Sequence, residues 1–90
     1  MSEAGKKYLI DVDFAERSRI HLNPSLFELD SRCRTDPKKP SDGGTVYASE
    51  AEVQRYLALK GSLRFQGKPV TNLQTCKLCS NLPEYGLKTR

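Results

Sequence analysis

In KYLIDVDF, Tyr8, Ile10, Val12 and Phe14 fall at every second position, with Asp11 and Asp13 between them. A period of two belongs to a strand with one buried face. After AERS the pattern resumes in RIHL, with Ile20 and Leu22 on one face and Arg19 and His21 on the other. The two segments are therefore expected to form an antiparallel hairpin, with His21 pointing away from the main apolar face. In NPSLFELD, Asn23 suits an N-cap and Pro24 the first helical position, where its missing N–H costs nothing. A single turn or short helix should follow.

The run TDPKKPSDGG, residues 35–44, holds two each of Pro, Gly, Asp and Lys. That composition favours turns, so 35–44 is expected to be a mobile surface loop within a single domain spanning 1–90. YASEAEVQRYLALKG carries stronger signals. Ser49 and Glu52 have capping-box spacing, Val53, Tyr56, Leu57 and Lys60 share a stripe, and Gly61 suits a left-handed C-terminal position. They predict a helix over 49–60. In SLRFQGKPV, Leu63 and Phe65 alternate with Arg64 and Gln66, and QGKP supplies a turn into VTNLQT, which predicts a second hairpin ending at Cys76. The tail 83–90, with Pro83 and Gly86, should be irregular unless Leu82, Tyr85 and Leu87 dock on the body.

Composition adds a constraint. Ninety residues fit one domain, but with 37% hydrophobic residues, 29% charged and no Trp, the core is modest and apolar burial alone leaves stability marginal. Three cysteines, an odd number, argue against a self-contained disulfide framework. MSEAGKKYLI has no apolar stretch suited to a signal peptide. A reducing, cytoplasmic location is the expectation. No apolar run approaches the roughly 18 residues needed to cross a bilayer, so no membrane partner is expected.

The most specific chemistry lies in TCKLCSNLP, residues 75–83. A C-x-x-C turn presents two thiolates on one side of a loop, at a separation that suits a tetrahedral ion. With Lys77 and Leu78 between the sulfurs, the stretch resembles a zinc knuckle, over these nine residues alone. Closing the shell takes two more donors, and the chain holds one other cysteine, Cys33, and one histidine, His21. A Zn²⁺ site of His21, Cys33, Cys76 and Cys79 uses every soft ligand available. Asp30, Asp36, a partner's side chain or a second copy of the chain are alternatives for the fourth position. The bland reading is that the thiols are small buried hydrophobes and His21 an ordinary surface residue. A redox pair is disfavoured, because thioredoxin-type motifs open a helix, whereas here Pro83 follows Cys79 and no helical pattern appears.

Such a zinc would be structural, since four protein ligands leave no open position for an activated water. There is no H-E-x-x-H, G-x-x-x-x-G-K-[ST], G-x-S-x-G or G-x-G-x-x-G, and one histidine cannot serve as both ligand and general base. Asp11 and Asp13, near Lys6, Lys7, Arg17 and Arg19, read as a solvated ion-pair face. The chain is therefore expected to be non-enzymatic, with no small-molecule substrate. The fold class expected is α+β: a small zinc-stapled domain with two antiparallel hairpins packed against one main helix.

A net charge of +4 favours anionic partners. Arg17, Arg19, Arg32, Arg34, Lys38 and Lys39, joined by Lys77, are expected to form a basic side near the metal that contacts phosphates of DNA or RNA. Tyr47, Phe65 or Tyr85 are candidates to stack on bases. Arg32, Arg34 and Lys77 would equally serve to neutralise the anionic cluster. The competing expectation is a protein-interaction module, an accessory subunit or inhibitor docking on a larger nucleic-acid-processing machine.

Overall fold

The computed structural model describes residues 5–33 and 41–87. The alternating segments form β1 (Tyr8–Asp13) and β2 (Ser18–Leu22), paired antiparallel with Ile10 opposite Ile20. Asp13 organises their connection, its Oδ1 accepting from the N–H groups of Ala15 (2.9 Å) and Glu16 (3.0 Å). Asn23 ends the hairpin as expected. Its carbonyl accepts from the N–H groups of Leu26 and Phe27, and its side chain caps the Ser25 N–H at 3.0 Å, closing one turn.

A third strand, β3 (Gly43–Ala48), lies antiparallel on the other side of β1, with Val46 opposite Ile10 and Ala48 opposite Tyr8. Of the loop expected over 35–44, residues 35–40 lie outside the described residues, whereas Gly43 and Gly44 belong to this strand. Glycine disfavours strands in general, but here packing decides. A Cβ built on Gly44 would sit 2.6 Å from Cζ of Phe65, so the bare backbone admits the ring.

The helix α1 (Glu50–Ala58) has both halves of the capping box: the Ser49 hydroxyl accepts from the Glu52 N–H, and Glu52 accepts from the Ser49 N–H. Lys6 and Lys7 pair with Glu52 (2.8 Å) and Glu50 (3.0 Å), tying the first turn to the approach to β1. Lys6 and the Ser49 N–H hold the Glu52 carboxyl well below its usual range, at about 2. The helix stops short of residue 60. Leu59 caps it in an extended conformation, and Gly61, at φ +84°, turns the chain back. Val53 is fully buried and Tyr56 half-buried, but Leu57 is 42% exposed, so the apolar stripe is narrower than its spacing predicts.

The second hairpin is reduced to β4 (Arg64–Phe65) and β5 (Lys68–Pro69), joined through Gln66 and Gly67, both at positive φ. The chain after β5 does not continue that ladder. Asn72 reaches back to the β1–β2 connection, donating to the carbonyls of Asp13 (2.7 Å) and Glu16 (3.0 Å) and accepting from the Ser18 hydroxyl (2.9 Å). This clamp sets β6 (Leu73–Thr75) parallel to β2, with Ser18 opposite Leu73 and Ile20 opposite Thr75. The result is a mixed four-stranded sheet in the order β3-β1-β2-β6 beside a two-stranded hairpin.

Tyr8, Ile10, Val12, Ile20, Leu22 and Ala48 on one sheet face share a buried cluster with Val53, Leu63 and Val70. The C-terminal segment docks through the side chains identified as able to do so. Cys79–Asn81 and Pro83–Tyr85 form short 3₁₀ turns, Tyr85 is 1% exposed, and Leu82 and Leu87 pack against the cluster. Among the described residues no helix is long and apolar enough to cross a membrane.

Candidate metal centre

His21 lies on β2, on the face opposite Ile20 and Leu22. Because β6 runs parallel with Thr75 opposite Ile20, the next residue, Cys76, arrives beside His21, and its N–H donates to the Ile20 carbonyl at 3.1 Å. The Ser80 N–H then donates to the Cys76 carbonyl (2.9 Å), curling the chain so that Cys79 returns to the same point. Cys33 comes from the other direction. After the turn capped by Asn23, the Asp30 carboxylate accepts from the Arg32 N–H (2.8 Å), and its carbonyl accepts from the Cys33 N–H (2.8 Å). The second turn delivers the Cys33 thiol to the knuckle.

The four donor atoms lie within 4.8 Å of one another. Cys33 Sγ is 3.4 Å from Cys79 Sγ and 3.6 Å from Cys76 Sγ, while His21 Nδ1 is 3.0 Å from Cys33 Sγ and 3.8 Å from Cys79 Sγ. Tetrahedral bonds of ~2.3 Å to sulfur and ~2.0 Å to nitrogen place sulfurs ~3.8 Å apart and sulfur ~3.5 Å from nitrogen. The two nitrogen–sulfur separations bracket their ideal and the two sulfur–sulfur separations fall ~0.2–0.4 Å short of theirs, so a cation at the centroid needs only small side-chain adjustments. His21, Cys76 and Cys79 are buried and Cys33 half-buried. His21, Cys33, Cys76 and Cys79 together can hold a metal ion.

Charge leads to the same place. Burial, and next the adjoining sulfurs, push the Cys33 thiol well above its ordinary range. Burial also raises Cys79, against a backbone hydrogen bond from Leu22 that acts the other way. Three thiolates this close cannot coexist without a compensating cation, and a divalent ion supplies one. A redox-active C-x-x-C requires the opposite shift, a lowered thiol pKa at a helix start. The convergence of a buried histidine with all three cysteines also exceeds what small hydrophobic packing needs.

Asp30 is not aimed at the cluster. Its carboxylate takes the Arg32 guanidinium in two bonds, Nε at 3.1 Å and Nη2 at 3.0 Å, which holds the acid at about 2. Asp36 lies outside the described residues.

Tyr85, expected from sequence only as a docking or stacking side chain, completes the surroundings. Its hydroxyl accepts from the Cys76 N–H (3.2 Å) and donates to the Ile20 carbonyl (2.5 Å), bracing the start of the knuckle against β2. Tyr8 in turn donates to the Tyr85 carbonyl, and the two rings meet edge to face at 5.9 Å. An aromatic between Pro83 and Gly86 was the available signal.

Of the residues expected to form a basic side, the structure describes Arg17, Arg19, Arg32 and Lys77. Lys77 is exposed between Cys76 and Cys79, and Arg32, with its side chain 75% exposed, stands beside Cys33 with its charge taken up by Asp30. Arg19 is exposed on the face that carries His21, in register with Asp11 and Gln74. Arg17 lies in the β1–β2 connection, four residues before His21 and thus ~13 Å away along the strand direction. Arg34, Lys38 and Lys39 lie outside the described residues. Of the candidate stacking rings, Tyr85 is buried and Phe65 packs against Phe14, leaving Tyr47, half-buried on β3.

Comparison with known proteins adds no relative: no family model matches the chain, and no curated protein or solved structure matches it.

Proposed function

We propose that this chain is a non-enzymatic module in which a structural Zn²⁺ joins the segment after β2 to the knuckle after β6, and that the module binds nucleic acid. The observation that carries the zinc reading is the convergence of one imidazole nitrogen and three sulfurs within 4.8 Å from widely separated parts of the chain. Soft sulfur donors in a closed four-ligand shell suit Zn²⁺, and such a shell has no position for substrate or activated water. Structural zinc contributes apparent free energies of about 10–16 kcal/mol in small domains, which is large against the stability expected of a core this size. The thiols would need a reducing compartment to stay available.

For the partner, the support is a row across all four strands on the face that carries His21: Thr45, Asp11, Arg19 and Gln74, with the Arg19, Gln74 and Thr45 side chains exposed and Lys77 beside the metal. With a net charge of +4, this row suits phosphate contact more than base reading. The test is titration of the reduced, zinc-loaded chain with single- and double-stranded oligonucleotides over a range of salt. Binding should weaken steeply with salt, and Arg19→Ala or Lys77→Ala should each lower the salt slope by about 1. Flat titrations with both at low salt refute this reading. They would favour docking on a protein, for which Leu57 (42% exposed) and Leu59 (61%), flanked by exposed Arg55 and Lys60, are the supporting observation.

A further inference from the structure

The three sulfurs are close to one another but unequal in access. Cys33 is half-buried, whereas Cys76 and Cys79 are 4% and 1% exposed. The Cys33 sulfur lies 3.4 Å from that of Cys79 and 3.6 Å from that of Cys76. Cys76 and Cys79 belong to one local turn, closed by the Ser80 N–H to Cys76 carbonyl bond, while Cys33 belongs to a segment more than forty residues away in sequence. A bond from Cys33 to Cys79 would therefore join the two segments that the metal joins, and a Cys76–Cys79 bond would not.

We propose that Cys33 is a site of oxidation by hydroperoxides, and that its oxidation replaces the metal link by a Cys33–Cys79 disulfide. This rests on the metal reading above. Held as a thiolate by the bound ion, Cys33 attacks the peroxide O–O bond, forming a sulfur–oxygen bond and releasing hydroxide, which takes up a proton to become water. The Cys79 thiolate then attacks the Cys33 sulfur, the S–S bond forms, and the second hydroxide leaves and is protonated. Two thiolates lose two electrons, hydrogen peroxide becomes two waters, and two protons are consumed. Cys76 and His21 remain, too few donors to retain the ion against water.

The sequence makes the products separable. Arg32, Arg34 and Lys77 place Cys33, Cys76 and Cys79 on three different tryptic peptides. The reduced, full-length chain is assayed for zinc, treated with one equivalent of hydrogen peroxide, alkylated and digested, with released zinc followed by a chromogenic chelator. Zinc content before the oxidant tests the metal reading, and a chain without zinc overturns both; with one zinc bound, the linkage map tests this inference by itself. The expected result is loss of the bound zinc together with a linkage between the Cys33 and Cys79 peptides. A Cys76–Cys79 linkage, or Cys33 recovered as a free thiol after zinc is lost, overturns it. A second measurement is circular dichroism in excess chelator. The oxidised chain should keep its folded signal where the reduced chain loses it, and loss in both would refute the replacement of one link by the other.

Discussion

Replacing Tyr85 by Phe removes one oxygen from beneath the knuckle and leaves the ring in place. The hydroxyl makes two bonds, to the Ile20 carbonyl and from the Cys76 N–H. Those two backbone groups also bond each other at 3.1 Å, so neither is left unsatisfied when the oxygen goes. Burial pushes the Tyr85 phenol above its ordinary range, so the group lost is a neutral hydroxyl rather than a charge. The cost is thus that of two net hydrogen bonds without an orphan, about 1–2 kcal/mol. Tyr85→Ala also forfeits the ring packed against Tyr8 and should cost about 3–5 kcal/mol. Tyr8→Phe is a different case. It withdraws the hydroxyl that donates to the Tyr85 carbonyl in a buried setting, and should cost about 1–3 kcal/mol. The assay is urea unfolding of the reduced chain at fixed zinc concentration, reading the midpoint with an unchanged slope. If Tyr85→Phe unfolds with the wild-type midpoint, or falls as far as Tyr85→Ala, the hydroxyl does not brace Cys76 as described.

Three further outcomes follow from other parts of the molecule. Ser49→Ala should destabilise the chain by about 1 kcal/mol through loss of the N-cap, measured by the same unfolding assay. Gly44→Ala drives a methyl against the Phe65 ring and should cost about 1–3 kcal/mol, with most of that cost removed in a Phe65→Leu background, as a double-mutant cycle would show. The third concerns pH. An ordinary thiol titrates at about pH 8.5 and burial only raises Cys33 and Cys79 further, so whether the metal-free chain is folded or not these thiols carry protons at neutral pH that the metal must displace. Metal affinity should rise with pH, its logarithm climbing with a slope approaching about 3 if all three thiols are displaced, whereas a flat profile between about pH 6 and pH 8 contradicts thiolate ligation.

The strands and the helix start that sequence identifies are those whose information is local. β1 and β2 alternate strictly, and Ser49 with Glu52 states the helix start within four residues. β3 is concealed because Gly43 and Gly44 carry no side-chain pattern; the reason for glycine is the Phe65 ring, which is distant in sequence. The parallel placement of β6 depends on Asn72 reaching the carbonyls of Asp13 and Glu16, a contact across more than fifty residues that no local pattern encodes. The cluster that can hold a metal was legible for a chemical reason: the chain offers few soft donors, and His21, Cys33, Cys76 and Cys79 are all of them. The spatial arrangement of the basic residues was not legible, because clustering in sequence is not clustering in space, and Arg34, Lys38 and Lys39 lie outside the described residues. Arg17 is separated from His21 by most of a strand, and Arg32 stands at the right place with its charge already matched by Asp30.

X-ray absorption at the zinc edge of the reduced, full-length chain, with metal content measured on the same sample, tests the central claim most directly. The account predicts one zinc per chain in a four-coordinate shell of three sulfurs at ~2.3 Å and one nitrogen at ~2.0 Å. A chain that folds without zinc, or a shell with fewer than three sulfurs, would contradict it.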